Sequence, residues 1–136
     1  MINLTTTAAA RRLQIDGFAI IPTRYTFGGK VQSIGFDVCL TDESPMFERY
    51  RTCIYTVHQG KKYKCLAQIE PDTSYERDRD GNRKTLHKVT RQHIPINDDI
   101  FAPFKMQYCT TRHLYDTVKR MLEPITESQV KAVIKP

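Results

Sequence analysis

Two histidines, His87 and His93, stand among Arg83, Lys84, Lys88 and Arg91. An imidazole that moves a proton beside cations that hold a phosphate is the equipment of a metal-free phosphodiesterase. The pattern is not completed. Two-histidine phosphodiesterases repeat His-x-Thr or His-x-Ser, whereas His87 is followed two places on by Val89 and His93 by Pro95. The chain has no Gly-x-Ser-x-Gly, no phosphate-binding glycine loop and no dinucleotide fingerprint. No catalytic residue is assigned, and the protein is expected not to be an enzyme. A phosphodiester-acting enzyme of unfamiliar type ranks third among the readings.

Metal chemistry fares no better at this level. Glu76, Asp78, Asp80 and Gly81 have the spacing of a calcium loop, but position eight is Arg83 and position twelve is His87. The bidentate carboxylate that a calcium loop needs at its end is therefore missing. For zinc, Cys109 and His113 are four apart and suit one helix face, and Cys53, His58 and Cys65 belong to one hairpin. The expected register puts His58 on the face opposite the two cysteines. The four cysteines, Cys39, Cys53, Cys65 and Cys109, form no Cys-x-x-Cys pair and are expected as buried, reduced thiols. No metal and no cofactor is expected.

What remains is charge. From Lys61 to Pro95 there are nine Lys or Arg against five acids, so about a quarter of the length carries +4 of the net +6. The cations form two acid-free runs, Lys61, Lys62 and Lys64, then Arg83, Lys84, Lys88 and Arg91. Between them lies an alternating tip, Glu76 to Gly81. Such a surface attracts phosphate polymers or acidic protein faces. Single strands are held by cations that track phosphates and rings that stack on bases. Tyr75 is the nearest candidate stacker, with Tyr50 and Phe101 beside it. The leading expectation is a non-enzymatic nucleic-acid-binding domain that favours single-stranded DNA or RNA and uses one basic strip on a sheet face. The alternative is a protein-interaction module meeting an acidic surface, of the kind that viral or mobile-element inhibitors and adaptors of host machinery use.

The elements that position these residues are those of one α+β domain spanning residues 1–136. The chain is 40% hydrophobic, and at this length a single core buries roughly two-thirds of the unfolded surface. No apolar run exceeds the four residues Phe18 to Ile21, so neither a membrane span nor a secretory signal is expected, and the cytoplasm is the expected location.

Thr7 is placed to cap a short helix through Leu13 that Gly17 ends. Gly28-Gly29 predicts a hairpin with Ile21 opposite Phe36 and Thr23 opposite Ile34. A three-residue loop, His58-Gln59-Gly60, predicts a second hairpin with Tyr55 opposite Tyr63 and Cys53 opposite Cys65, leaving Lys62 and Lys64 outward. Thr85 to Ile94 is read as a strand, as is Phe104 to Tyr108. Leu114, Val118, Met121 and Leu122 line one helix face after Thr110, and Thr126-Glu127-Ser128-Gln129 opens a second C-terminal helix. The expected whole is an antiparallel sheet of two hairpins plus one or two strands, with the N-terminal helix and both C-terminal helices packed on one face.

Overall fold

The computed structural model describes residues 2–77, 79–94 and 105–124, together with 126 and 128; of residues 72–77 and 83 it describes the backbone. The elements in chain order are β1 (Ile2–Asn3), α1 (Ala8–Ile15), β2 (Ala19–Phe27), β3 (Lys30–Leu40), β4 (Arg51–Thr52), β5 (Tyr55–His58), β6 (Lys61–Arg77), β7 (Arg83–Arg91), β8 (His93–Ile94), β9 (Met106–Cys109) and α2 (Leu114–Met121). The fold is a single α+β unit. Its sheet runs β2-β3-β6-β7-β9, with β1 alongside β3 and β5 alongside β6, while β4 and β8 form a separate two-stranded pair. Because β1 runs parallel to β3, the sheet is mixed rather than purely antiparallel.

The helices form where the sequence places them. Thr7 Oγ1 accepts the Ala10 amide at 3.3 Å, α1 ends at Asp16, and Gly17 takes φ +104, a value that side-chain-bearing residues rarely adopt. Ala9, Ala10 and Leu13 face inward. On α2 the i, i+4, i+8 spacing of Leu114, Val118 and Leu122 buries all three. Tyr115 Oη donates to Asp16 Oδ2, and Lys119 Nζ lies 3.3 Å from the same carboxylate, which ties α2 to the end of α1. The Tyr115 bond and the Lys119 charge hold the Asp16 carboxyl below the usual carboxylate range. The second C-terminal helix falls largely outside the described residues.

Both hairpins depart from the expected register. At the first, Gly28 and Gly29 do form the two-residue turn between Phe27 and Lys30. However, Tyr25 pairs with Ser33 while Thr26 pairs with Val31, so Gln32 is an extra residue in β3. Beyond this bulge Ile21 meets Asp37 instead of Phe36, and Ile34 meets Arg24 instead of Thr23. At the second, Gln59 adopts φ 51 beside Gly60 at φ 75, giving a two-residue turn with His58 opposite Lys61 and Tyr55 opposite Lys64. Cys53 therefore does not face Cys65. Cys39 does, across β3 and β6.

The two faces follow from these registers. Phe36, Val38, Leu40, Ala67, Ile69 and Val89 point at the helices and pack with Leu13, Leu114, Val118 and Leu122. The reverse face carries a smaller cluster of Ile21, Cys39 and Cys65, with Ala19, Ile54 and Tyr63 against it. At Gly35 the β3 backbone comes so close to β6 that a Cβ would overlap the Ile69 carbonyl oxygen and stand 2.8 Å from Pro71 Cδ. β6 pairs with β7 on past Pro71 as far as Arg77 opposite Arg83, with an irregularity between Pro71 and Tyr75. Residues 79–82 at the tip are exposed. Among the described residues no helix is long and apolar enough to cross a membrane.

Candidate functional site

The expected basic strip is divided by the sheet. In β6 the side chains alternate, so Lys61 shares the reverse face with Cys65, whereas Lys62 and Lys64 lie on the helix side. Lys61 Nζ is 3.9 Å from Glu43 Oε2. Lys62 Nζ lies 4.0 Å from the centre of the Tyr55 ring. Lys64 is buried, with Nζ donating to the carbonyls of Phe47 and Tyr50 at 2.8 Å each, so it is not an outward ligand-binding cation. Burial holds its ammonium below the usual lysine range. The cause is a one-residue irregularity where β6 meets β3: Val38 pairs with Ala67 but Cys39 pairs with Cys65, so Leu66 is extra and Lys64, opposite Leu40, comes to the helix side. The two carbonyls satisfy the charge that would otherwise forbid this.

The second run is divided in the same way. Lys88 pairs with Glu70 in register, on the reverse face, with 3.6 Å between Nζ and Oε2. Arg91, opposite Ala67, belongs to the helix side and is half-buried. Lys84 is exposed near the start of β7. Tyr75 and Arg83 are placed by their backbones, opposite Thr85 and Arg77; their side chains lie outside the described set, as does Phe101. Tyr50 is buried, 6.3 Å from Phe18 and 5.6 Å from His93 between ring centres, and so is not free to stack on a base. Burial pushes its phenol up to about 12.

Lys84 joins a different set of residues. β9 pairs with β7, His87 opposite Cys109, and the chain then turns through Thr111–His113 into α2. This brings the loop after β9 against the start of β7. Two adjoining hollows of about 230 and 430 Å3 result, sharing Thr110 and His113. Lys84, Arg112 and Arg120 line them, with hydroxyls from Thr85, Thr110, Thr111 and Thr117 and the Tyr108 ring. No Asp or Glu is among the described lining residues. His87, itself buried, fixes the wall through Nε2 and Thr111 Oγ1, 2.7 Å apart. Of the expected cations whose side chains are described, Lys84 belongs here. Arg112 precedes α2 and Arg120 lies in its last turn, a helix whose spacing speaks only of packing, and it is the β7–β9 pairing that brings them to Lys84.

A second convergence lies on the reverse face. Asp37 Oδ2 accepts a hydrogen bond from Thr56 Oγ1 at 2.9 Å, and a ligand atom from each of Asp37, Cys39 and Cys65 lies within 4.8 Å of the others. All three residues are buried. Burial pushes the Asp37 carboxyl up, against hydrogen bonds from Thr56 and Thr23. The Cys39 thiol is also raised, by its hydrogen bond to Cys65 and by burial. Among the described residues this is the one group with metal-ligand geometry, and the expected register hides it by pairing Cys65 with Cys53. Comparison with known proteins found no matching family model, no matching curated protein and no matching solved structure.

Proposed function

We propose that the chain binds a single-stranded nucleic acid, with phosphates held in the groove between β7, β9 and α2. One observation carries this reading: three cations and four threonines line two adjoining hollows that hold no described carboxylate. Cations supply the sequence-independent attraction to phosphate, and hydroxyls donate hydrogen bonds to its oxygens. Tyr108, 45% exposed at the rim, offers a face on which a base stacks.

The test is oligonucleotide binding across a salt series. Lys84→Ala/Arg112→Ala/Arg120→Ala should weaken binding and make the salt slope shallower by about 0.7 for each phosphate no longer neutralised. Lys61→Ala/Lys62→Ala, away from the groove, should change neither. Absence of micromolar binding by the wild type at low salt, or equal slopes for wild type and triple variant, overturns the reading.

The protein-interaction reading has its own support in β5. Tyr55 and Val57 are 45% and 70% exposed beside Lys62, an apolar and cationic pairing suited to an acidic protein surface. A partner bound there would lose little affinity with salt and would be released by Val57→Asp.

A further inference from the structure

We propose that Asp37, Cys39 and Cys65 form a binding site for a soft divalent cation of the zinc class, held by two thiolates and one carboxylate. The three ligand atoms already lie within 4.8 Å of one another on adjacent strands, and Cys39 and Cys65 are direct cross-strand partners. Strand pairing thus fixes the donors before any ion arrives.

The donor types select the ion. Two sulfurs exclude calcium and magnesium, which take oxygen, and favour zinc in a tetrahedron whose fourth ligand would be a water carried in with the ion. The surroundings ask for a cation as well. Asp37 is a buried carboxyl whose described partners are the hydroxyls of Thr56 and Thr23, and no described Lys or Arg pairs with it. An ion would supply the missing positive charge. It would displace both Sγ–H protons to solvent and leave two thiolates and a carboxylate around the metal. Thr56 then acts behind the ligand, orienting the carboxylate as hydrogen-bonded neighbours of metal ligands do.

A simple disulfide accounts for less. Both thiols are fully buried, and thiols in that setting are poor nucleophiles for exchange. A disulfide would also leave Asp37 as it is. With both sulfurs closed from solvent, loading is expected while β5 is still off the sheet, so the ion is offered during refolding as well as to the folded chain.

The experiment uses the full chain, reduced and stripped with chelator, with Zn2+ as titrant and Co2+ as its spectroscopic stand-in. One ion per chain should bind with micromolar or tighter affinity and release about two protons. Co2+ should show thiolate charge-transfer absorption and tetrahedral d–d bands. Cys39→Ser and Cys65→Ser should each weaken binding by about a hundredfold or more. Because those variants touch the core, a Cys53→Ser/Cys109→Ala variant, in which Cys39 and Cys65 are the remaining cysteines, provides the converse check and should keep the Co2+ bands. Failure of the wild type to bind one Zn2+ by either loading route overturns the site. So does loss of the Co2+ bands in the folded Cys53→Ser/Cys109→Ala variant.

Discussion

The Lys64 ammonium lies 3.7 Å from the centre of the Phe47 ring, inside the molecule and over an aromatic face. With the carbonyls of Phe47 and Tyr50 on its protons, it staples the loop before β4 to β6. It is an internal fastening in a segment whose neighbours Lys61 and Lys62 are exposed.

Lys64→Ala removes those charged hydrogen bonds and leaves two carbonyls without their donor. The expected loss is about 2 kcal/mol of stability, measured by urea melts. Oligonucleotide affinity below the melting range should stay at the wild-type value. A variant as stable as wild type but weaker in binding would return Lys64 to the ligand-binding surface.

His93 is 1% exposed, and burial, assisted by the Arg91 charge, lowers its imidazole to about 4. The unfolded chain takes up this proton near pH 6.5 and the folded chain near 4. Protonation therefore favours the unfolded state, and the stability tied to the neutral ring is complete above pH 6.5 and is lost as pH falls towards 4. The loss amounts to about 3 kcal/mol. Urea melts of wild type and His93→Phe at about pH 7, 5.5 and 4.5 isolate it from the carboxylates. The difference between the two proteins should move in favour of the variant as pH falls, and a constant difference would rule the effect out.

Gly35 has no room for a side chain, since a Cβ would meet the Ile69 carbonyl oxygen and Pro71 Cδ. Both belong to β6, so relief requires that β3 and β6 move apart. Gly35→Ala should cost about 3 kcal/mol, seen as a lower urea midpoint. An unchanged midpoint would mean that β6 shifts freely at Pro71.

Much of the fold was legible because its signals are local. Thr7 and Gly17 bracket α1, Gly28-Gly29 turns the first hairpin, β-branched residues mark β7, and the spacing of Leu114, Val118 and Leu122 marks the buried side of α2. The errors share one origin, a single residue of register. Alternation does not reveal that Gln32 is bulged, and Gln59 takes a left-handed conformation that favours Gly, Asn or Asp, so the turn it makes with Gly60 reads as one residue longer. Each slip moves every later side chain to the other face. The tighter turn is why Cys53 does not face Cys65, and a further extra residue, Leu66 in β6, is why Cys39 does and why Lys64 is inside. The groove was illegible for another reason. Its cations come from residues 84, 112 and 120, and what joins them is the pairing of β7 with β9.

The seam between β3 and β6, where Phe36 faces Ile69, also governs the order of assembly. The β2–β3, β5–β6 and β6–β7 hairpins close short loops, events of about microseconds. The seam brings together strands from separate hairpins and must overcome the closure entropy of the intervening chain before any interaction compensates for it. Phe36, Val38 and Ile69 on the seam share one core cluster with Leu114 and Val118, so α2, which also rests on α1, β7 and β9, completes its apolar packing only once the seam exists. Refolding followed by amide protection should accordingly find the hairpin turns protected first and α2 together with the seam. The speed limit of this domain is one long-range strand pairing, and its helices follow that pairing.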